Sequence, residues 1–402
     1  MKNIFLPIII FTILSGCDND NSIEIPKPFE IRVIAQDGEP VTGATIEGGI
    51  DWDAFKVQTN SEGIAVLFEN ALKGGVVIYK TNYFPIRVYK IVPNDTYTLR
   101  KTTKQLNFIG NVEGKAIRFR QNELITLDYQ GTYHLYSYTD QSVSEIFSQP
   151  LNDSIIAVPE FHLIGSQLWI ATHNSRIFVY SVQNPSSPQL LFSLTVTDDL
   201  GQFAVKDSIL AVGDKWEPGP VRFFVYHQDG YLQEVSRIQN YFVRNMSFIG
   251  NNLVITGNSE SLPTIFDVSN ITSPKLLYNG LDWGYRSAFF YNQKLILTPQ
   301  NAYGGENPRL DYKLLDLSNP ALPVQQNIFS ADSWLTGLAS DNIAYGNYYS
   351  HDQTISILEG DIYSYSFQTI ATVSERTYEG VGGAFPPYFI IGNSLWKLVD
   401  RN

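Results

Sequence analysis

The chain has 402 residues, with 28 Lys and Arg against 40 Asp and Glu, for a formal net charge of −12. That balance argues against nucleic acid and anionic membrane faces as partners, because both repel a net negative surface. Charged residues are only 17% of the chain while Tyr and Phe number 24 each, which suits a pleated, half-buried surface, and no segment sustains a 3.6-residue apolar period, so an all-β fold is expected.

The chain opens with Lys2, an apolar run from Ile4 to Leu14, and then Ser15, Gly16 and Cys17. A run this short cannot cross a bilayer, and the order of charge, apolar stretch and small residues reads as an export signal over residues 1–16. Cys17 is the one cysteine in the chain, so disulfides are excluded. Leu14-Ser15-Gly16-Cys17 resembles the bacterial lipobox, and the resemblance implies that Cys17 carries a diacylglycerol and becomes the mature N-terminus. Removal of residues 1–16 takes away Lys2 alone among the counted charges, leaving 27 cations against 40 acids and a net −13. Palmitate-type acyl chains, at about 0.8 kcal/mol per methylene, would then hold the protein on a bilayer. Residues 17–29 read as a lipidated tether stiffened by Pro26 and Pro28. Its Asp18-Asn19-Asp20-Asn21 resembles the export tags of surface-displayed lipoproteins in some Gram-negative bacteria. The implied location is the outer membrane, lipid-anchored, with display at the cell surface.

Residues 30–100 carry short alternating runs: Ile31 to Ile34, Ala44 to Glu47, Phe55 to Thr59, Ile64 to Phe68, Val76 to Tyr79, Ile86 to Ile91 and Tyr97 to Arg100. Turn clusters such as Asp37-Gly38-Glu39-Pro40 and Asn60-Ser61-Glu62-Gly63 separate them, which predicts a small β-sandwich of Ig-like type. The run from Asp37 to Ala44, followed by Thr59 to Gly63, looks like the carboxypeptidase regulatory-like domain. That resemblance implies a spacer or docking module without catalytic residues of its own.

Residues 101–402 are repetitive. An apolar strand leading into an Asn-Pro-type turn occurs at Tyr180 to Pro188, Phe266 to Pro274 and Leu315 to Pro323. One apolar position also marks the second strand of each unit, at Leu124, Leu168, Ile209, Leu253, Leu295 and Ile343, at intervals of 41 to 48 residues. A period near 40 to 45 with several strands per unit predicts a β-propeller. Six units are visible, and a partial seventh from Phe385 to Val399 lacks an outer strand that Gln105 to Gly110 could supply, closing the ring. Seven blades are expected, although Trp334 to Ser374 is hard to phase and six or eight also fit. The units resemble the LVIVD repeat of bacterial surface proteins, best at residues 241–277, while those beginning near 113, 197 and 332 lack the Asn-Pro turn. The resemblance implies extracellular display and binding rather than a known reaction.

Nine residues before each second-strand marker lies the entry to an innermost strand. Lys115, Arg244 and Arg286 occupy that phase and could converge on an anion, beside Trp283, Tyr285 and Trp334. Arg with Trp and Tyr suits a carboxylated or sulfated sugar, or a peptide carboxylate. The competing reading pairs each cation with a carboxylate or carbonyl of the next blade. Trp216 and Tyr303 stand out in long loops on the same expected face; there the competing reading is loop-on-loop packing. The five histidines show no metal spacing among themselves, no nucleophile elbow occurs, and no glycosidase carboxylate pair can be read. No catalytic residue, metal or cofactor is therefore assigned. The expected function is a surface-exposed binding or scaffold lipoprotein recognising a glycan, peptide or protein. The alternatives are an envelope assembly component and a propeller hydrolase or lyase.

Overall fold

The computed structural model describes residues 27–401 outside 49–54, 69–74, 89, 153–159, 173–174, 197–199, 201, 214–218, 228, 230, 242, 244, 258–262, 281–284, 292–293, 300–309, 332–333, 348–353, 361–365 and 375–380. Among the described residues there is no helix.

The N-terminal unit has two sheets. In one, Pro28–Ala35 pairs antiparallel with Ile64–Phe68 and parallel with Thr96–Leu99. In the other, Thr45–Gly48 lies between Phe55–Gln58 and Val76–Tyr79, with Ile86–Val88 beyond. Alternate residues of both sheets, among them Ile31, Val33, Ile46, Leu67, Ile78 and Leu99, enter one shared core. The turns follow their sequence chemistry. Asn60 Oδ1 accepts the backbone N–H groups of Glu62 and Ile64, each at 2.9 Å. Gly63 then turns at φ +73°, where a Cβ would stand 2.4 Å from the Val33 carbonyl oxygen; no other residue fits there.

Among the described residues, seven four-stranded units follow. Their first strands are Lys115–Arg120, Glu160–Ile164, Gln202–Lys206, Asn245–Ile249, Tyr285–Tyr291, Trp334–Ser340 and Val381–Phe385. In the first six, the next three strands add outward in sequence order; two neighbouring units, the fifth and sixth, are also joined by a short parallel pairing of their outer strands. The last unit has three strands of its own, and Lys104–Asn111 from the other end of the repeat region pairs antiparallel with Ser394–Asp400 as its fourth. All six second-strand markers, from Leu124 to Ile343, lie at the first or second residue of a second strand.

Each unit buries both faces. In the second, Leu168 and Ile170 pack toward the first unit, while Trp169 and Ala171 pack toward the third. A strand buried on both sides shows a continuous apolar run instead of alternation, hence Leu-Trp-Ile-Ala here. Seven such shared cores join the units in succession. The seventh joins the last unit to the first through Ile390 and Leu395 against Leu124, Tyr136 and Tyr138, so the ring is closed. The Asn-Pro-type segments form third-to-fourth-strand turns; two of them start from an Asx hydrogen bond, in which Asp267 Oδ1 accepts the Ser269 N–H and Asp316 Oδ1 the Ser318 N–H, each at 2.8 Å. A register shift recurs at the same place in these hairpins, including those lacking the motif.

The N-terminal unit docks on the seam of the last two blades. Asn82, at φ 68°, donates its N–H to the Thr372 carbonyl at 3.0 Å. Its Oδ1 accepts the Leu106 N–H at 2.9 Å, and its carbonyl accepts from Arg401 at 2.9 Å.

Candidate functional site

First strands begin on one rim of the ring, where the second-to-third-strand turns also emerge. Lys115 is the first residue of its strand, opposite Leu127 at the end of the second, and its side chain is exposed. Tyr285 pairs opposite Pro299, with Arg286 next to it, and Trp334 pairs opposite Asn347. The backbones of Lys115, Tyr285, Arg286 and Trp334 therefore share one rim, while the side chains of the last three lie outside the described residues. Trp216, Arg244, Trp283 and Tyr303 lie outside them entirely, as does Cys17.

Around Lys115 the rim is more acidic than a three-cation cluster would suggest. A pocket of about 300 Å³ is lined by Glu113, Lys115, Asp128, Tyr129, Phe161 and Asn393, drawing on the last, first and second blades. Glu160 opens the second blade and accepts a hydrogen bond from Gln202 Nε2 of the third at 3.0 Å. Beside it, His162 packs edge-on to Phe203 at 4.6 Å, and burial pushes the His162 imidazole below its usual pKa against the opposing pull of Glu160.

Under the pocket lies His134, in the third strand of the first blade and 4% exposed. Its Nδ1 lies 2.7 Å from Glu145 Oε1. Its Nε2 is buried without a hydrogen-bond partner and faces Glu113 Oε2 at 3.7 Å and Asp128 Oδ2 at 3.8 Å. One ligand atom from each of the three residues lies within 4.8 Å of the others. Asp128 is held by its turn, since its Oδ1 accepts the N–H groups of Gln130 at 2.9 Å and Thr132 at 2.7 Å. Glu113 is held by its backbone, whose N–H donates to Tyr136 Oη at 3.0 Å and whose carbonyl accepts from Thr126 Oγ1. Burial pushes the Tyr136 phenol up to about 12, so it stays protonated. Spacing between histidines could not reveal this trio. The signal lay in register: the second strand ends at Leu127, just before Asp128, and His134 faces Thr126 across the ladder.

No family model matches the chain, and no curated protein matches it. The β-propeller domain of Myceliophteria thermophila Cps50 (Swd1) superposes with a TM-score of 0.51 at 10% identity, over 74% of this chain and 99% of that one. Saccharomyces cerevisiae Sqt1 gives a TM-score of 0.46 at 11% identity, over 74% of this chain and 98% of that one. The Cps50 match agrees with the ring of four-stranded sheets, and the fold of the repeat region is a β-propeller.

Proposed function

We propose that this is a lipid-anchored binding protein of the bacterial outer membrane, displayed at the cell surface. A carboxypeptidase regulatory-like sandwich raises the LVIVD-like propeller, whose entry rim meets a glycan, peptide or protein. One observation supports the reading: the backbones of Lys115, Tyr285, Arg286 and Trp334, from three blades, lie at strand entries on one rim. Lys and Arg with Tyr and Trp are the residue types that suit a carboxylated or sulfated ligand, and a propeller rim is a rigid platform for such residues. The Leu14-Ser15-Gly16-Cys17 sequence supports the anchor.

A glycan and peptide array probed with the full chain tests the rim. Arg286→Ala combined with Trp334→Ala is expected to weaken the leading hits at least tenfold; unchanged hits would remove the rim as the binding surface. Metabolic acyl labelling tests the anchor, because Cys17→Ala should abolish label and release the protein from the membrane fraction.

A further inference from the structure

We infer that Glu113, Asp128 and His134 bind one divalent ion of borderline softness, of the zinc type, at the entry rim of the first blade. Four observations converge on this. His134 Nε2 is buried and has no hydrogen-bond partner, although an orphaned polar atom in a packed blade is costly. The atom faces two carboxylates, and among the described residues neither carboxylate has an ion pair with any Lys or Arg. The far side of the ring meets the Glu145 carboxylate at 2.7 Å and the Ser148 hydroxyl at 3.2 Å; the nearer carboxylate can only accept, so Nδ1 carries the proton, the hydroxyl serves as a second acceptor, and Nε2 offers a lone pair. A carboxylate behind a histidine is the usual outer support of a metal ligand. Finally, Asp128 is fixed through Oδ1, which leaves Oδ2 turned toward His134 without further ordering.

The distances separate a metal from a proton. A doubly protonated imidazole would close on its carboxylates at about 2.7–2.9 Å, as the Nδ1 side does. On the Nε2 side the gaps are 3.7 and 3.8 Å. Two ligands about 2.1 Å from one tetrahedral ion stand about 3.4 Å apart, so those gaps suit a shared ion better than a hydrogen bond. The imidazole disfavours calcium and magnesium, which take oxygen ligands. Three protein ligands leave an open coordination position toward the pocket of about 300 Å³.

Isothermal titration of the chelator-stripped full chain with Zn²⁺ tests this, with Ca²⁺ and Mg²⁺ as parallel arms. One saturable Zn²⁺ per chain is expected, lost in His134→Ala and about 10–100-fold weaker in Glu145→Gln. Glu113→Gln guards against misfolding as an explanation, because the Glu113 side chain is 67% exposed; it should bind at least tenfold more weakly. Absence of saturable Zn²⁺ uptake, wild-type affinity retained in Glu113→Gln or His134→Ala, or preference for Ca²⁺ or Mg²⁺ would overturn the assignment.

Discussion

Asn82 lies at the junction of the two parts of this molecule. Asn82 adopts a left-handed backbone conformation, which asparagine tolerates better than most residues, and its amide oxygen takes the N–H of Leu106 in the ring-closing strand. Its main chain meanwhile bonds Thr372 and Arg401. Alanine would leave the Leu106 N–H without its acceptor, at about 1–3 kcal/mol, while keeping the unfavourable φ. Asn82→Ala is therefore expected to lower stability in urea by about 2 kcal/mol. Asn82→Asp, whose carboxylate can still accept that N–H, should lose much less. Equal losses in the two variants would show that the hydrogen bond is not what matters there.

Among elements, the first strands of the last and first blades approach closely. A Cβ on Gly383 would stand 2.5 Å from the Cβ of Ala116, so the ring closes on a contact only glycine permits. Gly383→Ala must push the two strands apart, and overpacking of this kind costs about 1–3 kcal/mol. Ala116→Gly in the same chain should recover most of the loss, since the two sites share one contact. A denaturant midpoint that the second substitution leaves unimproved would place the strain elsewhere. The Asn-Pro turns matter at the same scale. Backbone donation from Ser269 and Ser318 holds the Asp267 and Asp316 carboxyls below the usual range, so in these two repeats the aspartate before the turn serves the turn itself.

Across the whole ring, stability comes from wedges of apolar side chains shared by neighbouring blades, and these wedges hold phenols. Tyr133, Tyr136 and Tyr180 are each at most 4% exposed, and burial pushes each up to about 12. The unfolded chain releases the same protons near pH 10. Their folded values are raised, so the stabilisation is complete below about pH 10 and is lost as pH rises toward 12. Midpoints of thermal unfolding should accordingly fall between pH 9 and 11, by more than in a Tyr133→Phe, Tyr180→Phe variant. A flat profile would mean that these rings are hydrated in the folded state.

Much of the architecture was legible along the chain, because strand length, turn chemistry and apolar runs are relations between sequence neighbours. The strands at Ile64–Phe68 and Val76–Tyr79, the six second-strand positions and the strand near Gln105 that completes the last blade could all be read this way. Lys115 could be placed at a strand entry for the same reason. What surrounds it could not. Glu113, Asp128 and His134 come from a connection, a turn and a third strand, and their convergence depends on pairing register and on which face of the blade each side chain leaves. The amino-acid order thus settled the periodic backbone, which local hydrogen bonding and burial dictate. Tertiary packing alone brought an orphaned imidazole nitrogen to two carboxylates that have no Lys or Arg partner among the described residues, because that meeting is a distance across strands and not a spacing along them.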